Sequence, residues 1–469
     1  MTRSHMGLLC LLLSLLNIAT SQDDATIMQT LRLSLKLTSH GNWSKSNPCE
    51  WDHVQCDGSN RVTKIQFTQN GIQGTLHPDI GKLTELSHLS GLKHLQTLNL
   101  HDNLFDLAPT NLFYGMNSLQ EVNIDNNPFP AWEIPETVKE LKSLKNLSLI
   151  NCNVTGSIPD FFSSETLPSL ASLKLSRNNL HGVLPLSLAG SSLQQLYLNG
   201  QKLNGSISVL QNMTSLVEID LQGNEFSGPI PDLSGLKHLQ TLNLQDNLFN
   251  SNPETLFSKM NSLQEMYLDN NPFPSWGIPE TVKEATSLKN LSLANCSLTG
   301  LIPDFFRSET LPRLVSLRLS RNNLYGGLPE SLGRSSLEQL YLDWQHLNGS
   351  ISVLQSMTSL VEFNIRDNFF SGFIPDLSGL QSLKLFDVRD NYLTGLVPPS
   401  LTALKNLTVV NLSNNYIQGP MPLFQNSVKV DAISGRFCQE TPGTPCDPQV
   451  QILISIAESF GFPLKLAKG

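Results

Sequence analysis

The residue types that could perform catalysis do not occur here in a catalytic arrangement. The sequence contains no phosphate-binding G-x-x-x-x-G-K-[ST] loop, no H-E-x-x-H zinc motif, no G-x-S-x-G nucleophile elbow and no protein-kinase signature. The adjacent carboxylates Asp23 and Asp24 are better explained as favourable charges at a helix N-terminus than as an acid–base pair. His94 and His238 occupy equivalent solvent-facing positions of an internal repeat, which does not favour a metal site. We expect no catalytic residues, no cofactor and no metal.

Aromatic and basic residues recur at regular intervals in the second half of the chain, and their chemistry is that of binding. Tyrosine, tryptophan and arginine contribute most of the energy of protein interfaces. The candidate partner-binding residues are Tyr267, Arg318, Arg321, Tyr341, Trp344, Arg366 and Arg389. Asn364 and Asp387 are expected to point outward in the same way. A polar repeat surface without a ligand is the alternative explanation for any single one of these residues, and a weaker one for the cluster.

A leucine repeat positions these residues. The unit L-x-x-L-x-L-x-x-N-x-L, usually followed by x-G-x-[IL]-P, begins for example at Leu216 and Leu314. Its period, roughly 24 residues, is that of leucine-rich repeats. The alternating L-x-L part predicts a short strand, and the asparagine caps backbone groups at the following turn. A single coil cannot bury its leucines, so the coils must stack. We predict an α/β-type repeat solenoid, a right-handed superhelix with short parallel strands on its inner face and loops or 3-10 turns outside.

Part of the repeat array is duplicated. Residues 91–230 return as 235–374, so that Leu95 matches Leu239 and Cys152 matches Cys296. The whole array is expected to span residues 62–430, with about 15 repeats. The segment from Leu83 to Leu89 has no turn asparagine and predicts a shortened coil. The two copies differ where the first has Asn199 and Gly200 and the second has Asp343 and Trp344, which predicts that their surfaces have diverged.

The two ends of the chain differ from the repeats. Residues 1–21 combine Arg3, an apolar run and small residues spaced as at a cleavage site, which predicts a secretory signal too short to span a membrane. Residues 22–61 are expected to form an N-terminal cysteine-containing cap, with an amphipathic helix between Asp23 and Leu37. Residues 431–469 follow the last repeat and contain a cysteine island.

Secretion makes structural disulfides favourable. The cysteines that lie close together in sequence predict two short bridges, Cys49–Cys56 and Cys438–Cys446. Cys152 and Cys296 fall where their repeats would have the turn asparagine. Because no histidine adjoins either one, we predict buried free thiols with a structural role and not nucleophiles.

Charge and glycosylation signals agree with an extracellular binding role. The net charge of −9 and the pI near 5.6 argue against nucleic acid or an anionic membrane surface as a partner. After the signal, no apolar stretch is long enough to cross a membrane. Sequons predict glycosylation at several of Asn42, Asn146, Asn153, Asn204, Asn212, Asn290, Asn295, Asn348, Asn406 and Asn411. Glycans at Asn146, Asn290 and Asn406, which are expected on the strand face, would restrict which partners can dock.

Four elements together resemble one family. They are W-x-x-x-N-P-C-x-W-x-x-V-x-C at residues 43–56, the N-N-P-F-P-x-W insertion after a turn asparagine, L-N-G-Q-K-L-x-G-S-I at residues 198–207, and C-x(3)-P-G-x-x-C-D-P-x-V with its first cysteine at Cys438. This combination is similar to the extracellular region of the plant transmembrane kinase (TMK) receptor-like kinases. The resemblance implies a plant-type leucine-rich repeat fold, a receptor at the plasma membrane, auxin responses through secreted cupin-type auxin-binding proteins, and a cytoplasmic kinase. The chain departs from the family in its duplicated block and in the shortened coil.

The resemblance also implies a second cap, more repeats, a membrane span and a kinase after residue 469. The kinase activity is not carried over, because its residues are absent from this sequence. We predict a non-catalytic ectodomain that binds a protein or a protein-borne small signal, with a co-receptor as a further candidate partner. It would be either part of a full receptor at the extracellular face of the plasma membrane or a truncated product secreted to the cell wall space. The alternative is a secreted soluble decoy or an inhibitor of cell-wall-degrading enzymes, similar to the polygalacturonase-inhibiting proteins.

Overall fold

Short parallel strands, one for each repeat, are the main elements of the fold. A computed structural model describes residues 24–34, 43–67, 73–74, 92–105, 108–110, 112–432, 436–439 and 441–465. The predicted secretory signal, Asn42 and the predicted shortened coil lie outside these residues. The chain divides into two units, Met1–Phe226 and Ser227–Gly469.

The first unit has one helix and the first set of strands. They are α1 (Asp24–Ser34), β1 (Val54–Cys56), β2 (Val62–Gln66), β3 (Gln73–Gly74), β4 (Thr97–Asn99), β5 (Leu104–Phe105), β6 (Glu121–Asn123), β7 (Asn146–Ser148), β8 (Thr155–Gly156), β9 (Ser172–Lys174), β10 (Asn179–Gly182), β11 (Gln195–Tyr197), β12 (Lys202–Gly205), β13 (Glu218–Asp220) and β14 (Glu225–Gly228). Strands β2, β4, β6, β7, β9, β11 and β13 pair in parallel in that order, and we call them the inner sheet of this unit. β1 pairs antiparallel with β2. β2 pairs directly with β4.

The second unit repeats this arrangement and ends in a helix. Its elements are β15 (Thr241–Asn243), β16 (Leu248–Phe249), β17 (Glu265–Tyr267), β18 (Asn290–Ser292), β19 (Thr299–Gly300), β20 (Ser316–Arg318), β21 (Asn323–Gly326), β22 (Gln339–Tyr341), β23 (His346–Gly349), β24 (Glu362–Asn364), β25 (Phe369–Phe373), β26 (Leu385–Asp387), β27 (Tyr392–Gly395), α2 (Pro399–Thr402), β28 (Val409–Asn411), β29 (Tyr416–Gly419), β30 (Lys429–Asp431), β31 (Arg436–Phe437) and α3 (Pro448–Ser459). Its inner sheet consists of β15, β17, β18, β20, β22, β24, β26, β28 and β30, again all parallel. The predicted leucine-rich repeat architecture is therefore confirmed in each unit.

Alternation along the inner strands separates core from surface. In β22 the central Leu340 is buried, whereas its neighbours Gln339 and Tyr341 reach the other side of the sheet. Successive side chains of a strand point to opposite faces, so the central apolar side chain of a three-residue strand enters the core and its two neighbours face the other side. Stacked leucines from adjacent coils then bury one another.

A second set of short strands follows the turn asparagines, where the sequence predicted only loops and 3-10 turns. β19, β21, β23, β25, β27, β29 and β31 pair in parallel in the second unit, and β8, β10 and β12 do so in the first. We call this the lateral sheet. In β21 the segment buries Leu324 and ends at Gly326, whose positive φ of 83° turns the chain away.

The outer side of the repeats carries the predicted 3-10 turns. They span Glu136–Glu140, Leu186–Gly190, Ser208–Asn212, Glu280–Glu284, Glu330–Arg334 and Ser352–Ser356. In the turn Leu186–Gly190 the single Leu188 is buried against the core. Each of these turns therefore covers the outer edge of the leucine core with few residues.

Buried asparagines connect each coil with the one before it. The side-chain amide of Asn271 donates to the carbonyl oxygens of Leu244 and Leu268 at 2.9 and 2.8 Å, and its oxygen accepts from the backbone N–H of Phe249 at 3.2 Å. Unpaired buried carbonyls would destabilise the fold, and the asparagine satisfies them.

Cys152 and Cys296 take the place of this asparagine in their repeats. Both are buried and free. The Cys296 thiol lies 3.2 Å from the carbonyl oxygen of Leu268, and its backbone N–H donates to Asn322 at 2.9 Å. Burial raises the pKa of both thiols well above their usual range. These contacts are those of a structural residue and not of a nucleophile.

The cap closes the first coil through one carboxylate and an aromatic cluster. Asp24 at the start of α1 accepts a hydrogen bond of 2.6 Å from the backbone N–H of Val62, the first residue of β2. This contact, more than a charge effect on the helix terminus, explains the carboxylate. Trp43 and Trp51 pack against each other, with ring centroids 4.4 Å apart, beside the Cys49–Cys56 disulfide.

The segment after the last repeat contains the second disulfide, Cys438–Cys446, and helix α3. The carbonyl oxygen of Phe462, just after α3, accepts a hydrogen bond of 2.9 Å from the Thr394 hydroxyl. This contact fixes the end of the described chain on β27.

Partly buried carboxylates line the inner sheets. Burial raises the pKa of Asp220 at the end of β13 above its ordinary value of 3.8, although the backbone N–H of Gln222 donates to its carboxylate at 3.1 Å. The equivalent residue of the second copy, 144 positions later, is Asn364, which is neutral. The ionised form of Asp220 is thus disfavoured in the folded state relative to the unfolded chain.

Replacing Asn271 with alanine tests the contribution of the turn asparagines. We expect the free energy of unfolding to fall by about 2–4 kcal/mol, because buried carbonyls lose their donor. Urea unfolding followed by circular dichroism measures the change. Asn261→Ala, at an exposed position of the same repeat, is the control and should change stability by less than about 0.5 kcal/mol. Equal effects of the two substitutions would contradict the role assigned to Asn271.

Asp220→Asn tests the buried carboxylate. A carboxyl whose pKa is raised on folding takes up protons as the chain folds, so its contribution to stability improves as the pH falls through the folded pKa. We expect the variant to be more stable than the natural chain at pH 7, with the difference shrinking towards the ordinary value of 3.8. Urea unfolding at a series of pH values measures this. Asn364→Asp is the reverse control and should destabilise the second unit at pH 7. A pH-independent difference would overturn the explanation.

Candidate ligand-binding face of the second unit

The inner sheet of the second unit aligns its surface residues in one row. The residue at the end of each strand stands in register with its counterpart on the next strand. The row runs Tyr267, Ser292, Arg318, Tyr341, Asn364, Asp387, Asn411 and Asp431. Four of the sequence-predicted positions, Tyr267, Arg318, Tyr341 and Asn364, are partly or fully exposed in this row.

Arg318 and Tyr341 form the centre of the row. The guanidinium carbon of Arg318 lies 4.6 Å from the ring centroid of Tyr341, a cation–π contact. The Tyr341 hydroxyl donates to the carboxylate of Glu362. Burial and this hydrogen bond raise the pKa of Tyr341 to about 12, so the phenol stays a neutral donor. Gln339 completes the cluster, since its side-chain oxygen accepts from Ser316 at 3.0 Å and from Arg318 at 3.4 Å.

The charge of Arg318 is not neutralised within the described part of the chain. Its side chain is exposed, and no described carboxylate lies within the 4.0 Å that defines an ion pair. Arg321 is also exposed and has no such partner among the described residues. These two residues therefore offer positive charge to solvent, although the protein as a whole is acidic.

A hollow of about 310 Å³ lies beside Arg318. It is lined by Gln245, Tyr267, Asp269, Asn290, Leu291, Ser292, Ser316, Arg318 and Gln339. Asp269 accepts hydrogen bonds from the Ser292 hydroxyl at 2.8 Å and from the Ala294 backbone N–H at 2.5 Å. Burial raises the pKa of Asp269. The hollow thus combines one exposed cation, the partly buried carboxyl group of Asp269 and several amide and hydroxyl groups.

Arg366 and Arg389, unlike Arg318, form ion pairs with carboxylates of the described residues. The Arg366 guanidinium lies 2.7 Å from Asp367 and 3.3 Å from Asp390, and it also covers the ring of Trp344 at 5.1 Å. Arg389 lies 2.9 Å from Asp387. Nearby carboxylates therefore pair with both arginines, and the part of these arginines in binding a partner stays a prediction.

Asp387 lies in the outward row at the end of β26, but neighbouring side chains cover it. Only 4% of its surface is exposed, and Asn411 donates to its carboxylate at 2.7 Å. Burial raises the pKa of Asp387. Burying a carboxylate costs free energy unless it is paired and hydrogen-bonded, and Arg389 and Asn411 provide these partners.

The sequence-predicted residues after the third leucine belong to two rows, not one. Arg321 and Trp344 have positive φ values of 57° and 59° and share their position with Asp367 and Asp390 of the following repeats. Arg366 and Arg389 each lie one residue earlier in their repeats. Counting from the third apolar position of each repeat reveals this offset, because Arg321 and Trp344 lie two residues after it and Arg366 and Arg389 only one.

The lateral sheet carries a row of aromatic rings that was not predicted from the sequence. The row consists of the residues directly after the turn-asparagine position of four successive repeats: His346, Phe369, Tyr392 and Tyr416. Their adjacent ring centroids lie 5.7, 5.9 and 6.1 Å apart. Phe369 is 42% exposed and Trp344 46% exposed. Both line a groove of about 680 Å³. The recurrence of these rings at the spacing of the repeat was the signal that could have revealed them.

The glycosylation acceptors fall on different surfaces. Asn146 and Asn290 begin strands β7 and β18, as predicted for the strand face. Asn406 precedes β28, and Asn411, which was not predicted on this face, ends it. The exposed acceptors are Asn146, Asn153, Asn212, Asn295, Asn348 and Asn406, and the partly exposed ones are Asn204, Asn290 and Asn411. Their use as acceptors stays a prediction.

The described residues contain neither a membrane-spanning helix nor a cluster of metal ligands. No described helix is both long and apolar enough to cross a membrane. No group of three or more histidine, cysteine, aspartate or glutamate side chains in the described ranges could hold a metal ion.

Comparisons with known proteins agree with this architecture. Residues 21–57 match the leucine rich repeat N-terminal domain, and residues 143–164, 215–236, 287–308, 313–335 and 406–427 match the Leucine Rich Repeat family. The chain is 36% identical to the receptor-like kinase TMK2 of Arabidopsis thaliana over 485 residues, which cover 99% of this chain and 39% of TMK2. This chain therefore spans about two fifths of the length of that relative.

Solved structures of receptor ectodomains are similar as well. A TDR receptor matches 82% of this chain and 66% of its own chain with a TM-score of 0.73 and 27% identity. The ectodomain of the Arabidopsis receptor kinase HAESA, solved with a peptide hormone ligand, matches 90% of this chain and 78% of its own with a TM-score of 0.67 and 26% identity. The alignments fall on extracellular repeats and not on a catalytic domain. Over 99% of its length the chain is thus similar to the receptor-like kinase TMK2, and its repeats resemble those of plant receptor ectodomains.

Proposed function

We propose that this chain is the ligand-binding extracellular part of a receptor, and that the inner sheet of its second unit binds an extended peptide segment carrying a carboxylate. The observation that carries the proposal is Arg318. Its guanidinium is exposed, lies over the ring of Tyr341 and lacks a carboxylate partner among the described residues. A hollow with amide and hydroxyl groups adjoins it.

The chemistry of Arg318 favours a carboxylate. A guanidinium is planar, always charged, and binds carboxylates through two parallel hydrogen bonds. Contact with the Tyr341 ring and with Gln339 restricts its motion before a ligand arrives. A side chain that is already ordered loses less entropy on binding, which favours affinity.

The rest of the hollow fits a peptide backbone. Ser316, Gln339 and Gln245 provide hydroxyl and amide groups that can pair with peptide N–H and C=O groups. Tyr267 provides an aromatic surface of the kind enriched at interface hot spots. Arg321 lies three residues after Arg318, at the turn that follows β20, and would add positive charge near the same ligand.

The solved relatives support a peptide partner. The HAESA ectodomain, 26% identical to this chain, was crystallised with a peptide hormone. For this chain we propose a role at the extracellular face of the plasma membrane as part of a longer receptor, or in the cell wall space. By family resemblance the signal is auxin-related and the partner a secreted cupin-type auxin-binding protein. Residues 22–61 would form the cap, 62–430 the repeats and 431–469 the cysteine island that begins a second cap.

Arg318→Ala tests the proposal. The probe is the tightest-binding peptide selected from a random 12-residue peptide library on the natural chain. We expect its affinity, measured by calorimetry, to fall by about 10- to 100-fold, because a charged hydrogen-bonding partner is lost. Replacing the acidic residues of the peptide with their amides should weaken binding to the natural chain and have little further effect on the variant.

Arg313→Ala is the matched control, because Arg313 is exposed and the change in net charge is the same. It should bind the peptide with unchanged affinity. Equal affinities of the natural chain and the Arg318 variant would contradict the proposal. Strong inhibition of a polygalacturonase by the purified chain would instead favour the inhibitor alternative.

A further inference from the structure

We infer that the first unit carries a second site of the same chemistry, centred on Lys174, Tyr197 and Glu218, so that one chain binds two carboxylate-bearing peptides. The inference rests on the proposed function of the second unit. It comes from comparing the contacts of the two copies, which reproduce one cluster while their surroundings change.

The two clusters correspond residue by residue. The offset of 144 positions takes Lys174 to Arg318, Tyr197 to Tyr341 and Glu218 to Glu362. Lys174 stands in register with Tyr197 on the neighbouring strand, as Arg318 does with Tyr341. Each complete cluster lies within a single unit.

The contacts correspond as well. The Lys174 ammonium lies 5.1 Å from the ring centroid of Tyr197, and the Tyr197 hydroxyl donates to Glu218. Burial, together with this hydrogen bond, raises the pKa of Tyr197 well above its usual range. Ser172 donates to the side-chain oxygen of Gln195 at 2.9 Å, where the second copy has 3.0 Å between Ser316 and Gln339.

The hydrogen bonds of the aspartate beside each cluster are also the same in the two copies. Asp125 accepts from the Ser148 hydroxyl at 2.8 Å and from the Ile150 backbone N–H at 2.7 Å, which repeats the contacts of Asp269. Six of the nine residues that line the hollow of the second unit are identical in the first copy. They are the counterparts of Asp269, Asn290, Leu291, Ser292, Ser316 and Gln339.

The cation of the first cluster is also available. No described carboxylate lies within ion-pair distance of Lys174. Asp125 is near enough to interact with it electrostatically but forms no ion pair with it. The neighbouring row positions have changed between the copies, from Asn123 to Tyr267 and from Asp220 to Asn364. A positive charge on a tyrosine ring has been kept, with lysine and arginine exchanged.

The differences predict unequal affinities. Lysine is a strongly hydrated point charge and cannot form the paired hydrogen bonds of a guanidinium with a carboxylate. Asn123 also presents less contact area than Tyr267. We therefore expect the first-unit site to bind the same class of peptide about 10-fold or more weakly, which corresponds to the loss of one charged hydrogen bond.

Calorimetry with the selected 12-residue peptide tests the inference on the full chain. The natural chain should bind two peptides, one more weakly than the other. Lys174→Ala should remove the weak site and leave the tight one, and Arg318→Ala should do the reverse. Lys174→Gln, which keeps a polar side chain but removes the charge, should act like the alanine variant, and Lys202→Ala, at an exposed lysine of the first unit, should leave both sites intact.

The outcomes separate this inference from the proposed function. Binding of one peptide that Arg318→Ala abolishes and Lys174→Ala does not change would overturn the second site and leave the first proposal standing. Binding that neither substitution changes would overturn both. Mass mapping of the purified protein is a further check, because a glycan at Asn146, whose counterpart Asn290 lines the hollow of the second unit, would block the first-unit site and overturn the inference.

Discussion

The hydrogen bonds between turn asparagines and the carbonyls of the preceding coil are the interaction on which the structure depends. Each inner strand is only a few residues long and could not by itself fix the register of a coil. Asn391 and Asn415, like Asn271, donate to carbonyl oxygens both in their own coil and in the one before it. Because these bonds are buried, a change of register would leave several carbonyls unpaired, and one register is strongly preferred.

Because the register is fixed, the position of a residue within its repeat determines where it lies on the surface. Residues one repeat apart stand side by side on adjacent strands, so the neighbour on the next coil decides whether a side chain is available to a partner. Arg318 adjoins Tyr341 and keeps its charge exposed, whereas Arg389 adjoins carboxylates and is neutralised. The difference between a binding residue and a structural one is therefore a property of pairs of repeats and not of a single residue type.

Much of the fold followed from the sequence because its signals are local and repeated. The leucine spacing predicted the parallel strands, and the two thiols at asparagine positions were recognisable from the same pattern. The lateral sheet was missed because its strands are only two to five residues long, and a strand such as β21 has one buried apolar side chain, too few for periodicity to identify it. The burial of Asp387 and the pairing of Arg366 were missed because they depend on contacts between coils, which no spacing within one repeat records. Divergence of the two copies was predicted from Gly200 and Trp344, yet the cation–tyrosine–glutamate cluster beside them is the same in both.

The most direct test of the account is a crystal structure of the chain with the selected peptide bound. The account predicts a peptide carboxylate within hydrogen-bonding distance of the Arg318 guanidinium, with the peptide backbone in the adjoining hollow and the Arg318–Tyr341 contact retained. A peptide seated elsewhere, for example in the groove beside Phe369, with Arg318 still facing solvent, would contradict the central claim that the inner sheet of the second unit is the recognition surface.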